Sequence, residues 1–278
     1  MSDKPKAHVL SRRETLTYLG AAGAVALIGC GDDAGGGPGP SPDASGGTPD
    51  GSSGADGAPD IDGSTPAADG GTSADAPTSF NCVARPSQTE GPYFVDEMLN
   101  RSDIRTDPSD GTRKPGTPLR LKIGVYQSSG GSCAPVVGAV VDIWQCDAAG
   151  VYSDVVDPNA GSTRGKKFLR GYQLTNSAGE VEFLTIYPGW YPGRTVHIHF
   201  KVRTDPDSQQ GLEFTSQMYF DDSFTDDVFT QPPYSSRGPR TTRNQADGIF
   251  RQGGDDLMLD VHQAATELVT RFDIGLED

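Results

Sequence analysis

The densest chemistry in the chain lies in one short stretch, Tyr187-Pro-Gly-Trp-Tyr-Pro-Gly-Arg-Thr-Val-His-Ile-His-Phe200. His197 and His199 stand two apart among Thr195, Val196, Ile198 and Phe200, residue types that favour a strand. Positions i and i+2 of a strand share a face, so both imidazoles can converge on one point. Tyr191 and Arg194 come just before them, and Tyr152 follows an upstream turn, Asp147-Ala-Ala-Gly150. Phenols and imidazoles are oxygen and nitrogen donors. A free phenol loses its proton near pH ~10, but a bound trivalent cation removes it, and phenolate is a hard anionic ligand. Two phenolates with two imidazoles favour ferric iron. Zinc sites more usually combine Cys, His and carboxylate. His-x-His alone is a weak signal, shared by zinc and copper sites. Tyr-x-x-Arg-x-x-His-x-His, with Gly-x-Tyr after a turn upstream, is far more specific. The candidate metal ligands are therefore Tyr152, Tyr191, His197 and His199.

Other residues compete for these roles. Tyr93, Tyr172 and above all Tyr187 are rival phenols; Tyr187 reads as a packing residue with a hydrogen-bonded hydroxyl. Arg170 reads as a surface salt-bridge partner. Trp144 and Trp190 read as core, with Trp190 also placed to line a pocket beside Tyr191. Asp221, Asp222, Asp226 and Asp227 lack the spacing of a calcium loop and read as solvated turns. His262 reads as an exposed strand residue.

The elements around these residues are strands. Leu119–Tyr126 alternates apolar and polar with period two. Further strands are expected over 138–145, 168–174, 180–186, 213–220, 257–262 and 268–274, joined by Gly, Asn, Asp and Ser turns. The expected fold is all-β, an antiparallel sandwich or barrel with long loops and little helix. Residues 226–245 are expected to be a long surface loop, with a short helix around 245–251. Cys82, Cys133 and Cys146 allow three single pairings, each leaving one thiol over.

The chain divides into three parts. Residues 1–29 read as an export signal: a twin-arginine pattern, Ser11-Arg-Arg-Glu-Thr-Leu16, then an apolar run too short to span a bilayer as a mature helix. Leu27-Ile-Gly-Cys30 resembles a bacterial lipobox, making Cys30 the expected lipidation site and membrane anchor on the extracytoplasmic side. Residues 30–79 read as a disordered tether; positions 31–79 hold nine Asp, thirteen Gly and seven Pro and no Lys, Arg or Glu. Residues 80–278 are long enough for one well-packed domain. Of the formal −15, the tether carries −9 and the signal +2, which leaves −8 for the domain. With no basic run, nucleic acid is not an expected partner. Nothing in the sequence sets an oligomeric state.

Three stretches together carry a resemblance: Thr89-Glu-Gly-Pro-Tyr-Phe94, Asp142-Ile-Trp-Gln-Cys-Asp-Ala-Ala-Gly-Val-Tyr152 and Tyr187–His199. The chain from about Cys82 resembles the intradiol ring-cleavage dioxygenases, the family of catechol 1,2- and protocatechuate 3,4-dioxygenases. The resemblance implies a β-sandwich holding non-haem Fe(III), with Tyr152 and His197 as equatorial ligands and Tyr191 and His199 as axial ones. It implies that a small aromatic diol and O₂ are the substrates and a muconate-type diacid the product. Tyr191 would leave the metal and accept a substrate proton. Arg194 matches the family's active-site arginine, able to stabilise negative charge on the substrate, and Gln217 matches a glutamine near the iron. Two departures stand out. A tether occupies the place of the helical N-terminal dimerisation segment of catechol 1,2-dioxygenases. Pro192-Gly193 shortens the link between Tyr191 and Arg194, which implies a more open pocket. The stretch Gly171–Phe183 also resembles transthyretin-like and collagen-binding-type sandwich modules, for which a tethered, non-catalytic role is expected.

Overall fold

A computed structural model describes residues 82–129, 132–158, 160–205 and 211–277. The expected signal, the tether and Cys30 lie outside the described residues. The strands are β1 (Pro118–Ser129), β2 (Ser132–Pro135), β3 (Val140–Trp144), β4 (Val156–Asp157), β5 (Gly161–Ser162) and β6 (Arg170–Leu174). They continue with β7 (Glu180–Ile186), β8 (His197–Arg203), β9 (Glu213–Tyr219), β10 (Asp260–Ala264) and β11 (Glu267–Glu277). A single α-helix among the described residues, α1, covers Asp222–Phe229.

The strands form two main sheets. β1 is the spine of the first: β11 runs along one edge from Leu119 to Ser128, while β7 and β2 pair with it antiparallel. The β1–β11 pair is parallel, a departure from the antiparallel expectation. Parallel neighbours need a long connection, and the chain between β1 and β11 supplies it. The second sheet is antiparallel, in the order β6-β3-β8-β9. Period-two alternation sends Leu119, Leu121, Ile123 and Val125 inward, where they share one buried cluster with Val141, Ile143, Ile198, Phe200 and Val202. The Phe200 and Phe272 rings meet between the sheets with centroids 5.4 Å apart. The result is a β-sandwich.

Several expectations need correction. Residues 226–245 are not one loop: α1 begins before them, and short 3-10 turns follow at Tyr234–Arg237 and Asn244–Ala246. The latter is all that forms of the helix expected around 245–251. The acidic residues are not simply solvated turns. Asp221 caps α1, accepting from Ser223 N and Phe224 N. Asp222 and Asp226 both hold Arg240, whose side chain is only 3% exposed. Sequence periodicity could not reveal this, because the partner comes from a later loop. Arg170 is not a surface residue but 2% exposed. Leu257 ends a 3-10 turn, and β10 begins only at Asp260. Cys82 and Cys133 form a disulfide, leaving Cys146 as a buried free thiol.

Candidate active site

β8 is buried on both faces. Ile198, Phe200 and Val202 point into the sandwich, so His197, His199 and Lys201 point outward. The outer face is roofed by the N-terminal segment. Glu90 pairs with Lys201, and the Lys201 ammonium lies 4.1 Å from the Phe94 ring centre. Gly91, at φ +73°, sits so close that an added Cβ would stand 3.4 Å from His199 Cε1.

Tyr152 is delivered by the Asp147 turn. The Asp147 carboxylate accepts from Ala149 N and Val151 N at 2.9 and 3.0 Å, an Asx-type arrangement that fixes the bend. Tyr191 and Arg194 are joined by a turn in which Arg194 N donates to Tyr191 O at 3.4 Å. Pro192 presets the first central position, and Gly193 takes φ +87°, which a type II turn requires there. The short link is therefore a β-turn that sets Arg194 beside Tyr191.

Four donor atoms come together. His197 Nε2 lies 3.1 Å from His199 Nε2, 3.2 Å from Tyr191 Oη and 3.3 Å from Tyr152 Oη. His197 Nδ1 lies 2.6 Å from the Thr195 carbonyl, so it donates there and leaves Nε2 bare. Metal–donor bonds of about 2 Å place neighbouring donor atoms roughly 3 Å apart, the spacing seen here. Burial pushes both phenols well up, and it pushes His197 down to about 3, with Arg194 adding to the effect. His199 falls well below the usual imidazole range through burial, then through His197 and Arg194. The imidazoles are thus neutral, as metal ligation requires. No group of three or more His, Cys, Asp or Glu among the described residues is placed to hold a metal ion, so this donor set depends on its phenols. It fits a hard trivalent cation. Tyr152, His197 and His199 are almost wholly buried, whereas Tyr191 and Arg194 keep partial exposure on the open side.

Arg194 is held from three directions. Its Nε donates to Asp247 Oδ2 at 2.9 Å, its Nη2 donates to Gln217 Oε1, and its Nη1 is 3.4 Å from His197 Nε2. Gln217 in turn donates to Thr89 O at 2.9 Å. Burial alone would push Asp247 up, but the Thr195 N–H, the Arg194 charge and the Ile249 N–H hold it below the ordinary carboxylate range. Arg194 therefore stays cationic: burial works against its charge, while Tyr191 and Asp247 outweigh it.

All six proposed site residues gather in one place. Among the rivals, Tyr187 Oη bonds Thr225 Oγ1 at 2.7 Å within the core. Tyr93 stacks on Tyr152 at 4.5 Å and stands edge-on to Tyr191, bonded through its hydroxyl to Asp157. Sequence reasoning missed Asp247, for which no local signal existed. Trp144 is core, as expected, 1% exposed in a buried cluster with Cys146 and Tyr152, and its ring also lies on His199, 4.9 Å away and only 8° from parallel. Alternation with Ile143 places Trp144 on the outward face, so that signal was available.

The β-sandwich and this donor set together define a candidate metal centre, and comparison with known proteins gives its kind. Residues 89–244 match the family model described as Dioxygenase. The protocatechuate 3,4-dioxygenase beta chain of Burkholderia cepacia is 32% identical over 173 residues, 59% of this chain and 67% of that protein. A chlorocatechol 1,2-dioxygenase of Pseudomonas sp. (strain P51) is 29% identical over 153 residues, 50% of this chain and 56% of that one. The solved intradiol ring-cleavage dioxygenase from Tetranychus urticae is 30% identical with a TM-score of 0.60, covering 70% of this chain and 95% of that structure. The chain belongs to the intradiol ring-cleavage dioxygenases. The expectation of a non-catalytic sandwich module gives way to that of an enzyme.

Proposed function

We propose that the protein opens a catechol-type ring between its two hydroxyl-bearing carbons, using O₂ and a ferric ion held by Tyr152, Tyr191, His197 and His199, to give a muconate-type diacid. The observation that carries this reading is the approach of three donor atoms to within 3.1–3.3 Å of His197 Nε2. The ferric ion would supply Lewis-acid activation of the bound diol toward O₂. The chain's own residues divide the remaining work. Tyr152, His197 and His199, all buried, would hold the ion. Tyr191, on the open side, can swing away as substrate enters, and its Oη then holds a proton taken from the diol. Arg194 Nη1, beside His197, faces the negative charge that the diol brings. Gln217 and Asp247 fix the guanidinium, so little reorganisation is needed during reaction. Oxygen uptake by the iron-loaded full-length protein, across catechol, hydroxyquinol, protocatechuate and larger diphenols, tests this. One uptake per ring opened to a diacid is expected; products cleaved beside the diol, or no uptake with any of them, would contradict it.

We further propose that the enzyme works outside the cytoplasm, lipid-anchored at Cys30. The Cys82–Cys133 disulfide supports an oxidising compartment. Cys30→Ala should release the protein from membranes in cell fractionation; unchanged membrane association would refute the anchor.

A further inference from the structure

Across the outer face of the four-stranded sheet, Arg170, Trp144, His199 and Gln217 stand in one register row, from β6 through β3 and β8 to β9. At the Arg170 end, three buried polar atoms have no hydrogen-bond partner: Arg170 Nη1, Trp144 Nε1 and, from the roofing segment, Glu97 Oε1. Buried polar atoms are nearly always partnered, and three together call for one explanation. Their residues line the same cavity of about 10 Å³. That is the lower bound for one water, which needs two to four polar partners. Two N–H donors and one carboxylate acceptor, with the Asp154 carboxyl also within reach of Glu97, are the complement of a water that accepts twice and donates once.

This cavity backs directly onto the metal-ligand cluster. Arg170 Nε and Nη2 both donate to Ser153 O, at 3.1 and 2.5 Å, and Nε also donates to Ser153 Oγ at 2.9 Å. Ser153 follows Tyr152, so the guanidinium fork grips the backbone that carries this ligand. The Trp144 ring plates His199. Lys167 takes the other Glu97 oxygen, and the Arg170 side chain forms no ion pair among the described residues. The hydrogen bonds of the fork thus go to neutral groups alone, while the Glu97 and Asp154 carboxyl groups act on it at longer range.

We propose that one buried water, bound by Arg170 Nη1, Trp144 Nε1 and Glu97 Oε1, locks Arg170 and Trp144 in place as positioning residues for Tyr152 and His199. The positioning half rests on the reading of those two as metal ligands; the water site does not. Loss of a partner behind a ligand typically costs 10–100-fold in metal affinity or activity.

A high-resolution crystal structure of the iron-free full-length protein tests the water directly. One ordered water within hydrogen-bond distance of all three atoms is expected. A dry cavity, or direct contact of Arg170 with Glu97, would overturn the proposal whether or not the protein binds iron. Trp144→Phe and Glu97→Gln test the positioning. Trp144→Phe keeps an aromatic plate on His199 but lacks the N–H. Each variant is expected to lose iron about 10–100-fold faster to a chelator and to shift the tyrosinate-to-iron absorption band, with an unchanged far-ultraviolet circular dichroism spectrum. Unchanged iron retention and band position in both would overturn it. A wild-type protein that shows no such band would count against the ferric reading, and the crystal structure would still decide the water.

Discussion

On the inward face of β8, Ile198, Phe200 and Val202 are each 0% exposed against β1, β3 and β11; on the outward face, His197 and His199 are 2% and 1% exposed and Lys201 is 6%. The degree of burial is nearly the same, but the physics differs. Inward burial is stabilised by apolar area removed from water and asks only for the right volume. Outward burial would be costly for every nitrogen without a partner. Thr195 O accepts from His197 Nδ1, and Glu90 and Glu213 both pair with Lys201, whose ammonium Phe94 also faces; His199 Nδ1 alone on this face is buried without a hydrogen-bond partner among the described residues, a cost the site carries. One side of the strand therefore specifies stability and the other specifies chemistry.

This contrast can be broken by substitution on either side. Phe200→Ala should cost about 3–5 kcal/mol of unfolding free energy in denaturant titration, yet leave the iron content of the folded protein unchanged; a loss of iron at full folding would show that the faces are coupled. Arg194→Gln should lower turnover by about 10²–10³-fold at unchanged iron content, and its melting temperature should also fall, because the buried Asp247 carboxylate loses its cation. Asp247→Asn should have a smaller effect, about 10–100-fold on turnover, since it loosens Arg194 without removing its charge.

Asp247 also sets a pH dependence. Its carboxyl is held below the ordinary value in the folded protein. Its stabilising contribution is therefore fully present above the unfolded value of about 4 and is lost as pH falls through the lower folded value. In acid unfolding followed by circular dichroism, Asp247→Asn should show a flatter loss of stability below about pH 4 than wild type. Identical acid limbs would remove Asp247 from the account.

Much of this was legible in the sequence because period-two alternation is local. It places His197 and His199 on one face, and the Asp147–Gly150 turn sets Tyr152 at a turn exit. The rest depends on partners far along the chain. Asp247 meets Arg194 across 53 positions, and Asp222 and Asp226 hold Arg240 from across a connecting loop. Arg170 looked like a surface residue because only the roofing segment, with its Glu97 and Phe94, makes that face an interior. The β1–β11 pairing joins opposite ends of the domain, so no local pattern could give its direction.

The central claim is that two phenols and two imidazoles share one ferric ion. Titrating iron into the full-length protein while recording the visible spectrum tests it most directly. The account predicts a strong tyrosinate-to-iron charge-transfer band that saturates at one iron per chain, is altered in Tyr191→Phe and is lost with most iron binding in Tyr152→Phe. A protein that stays colourless after reconstitution, or a band untouched by both substitutions, would contradict it.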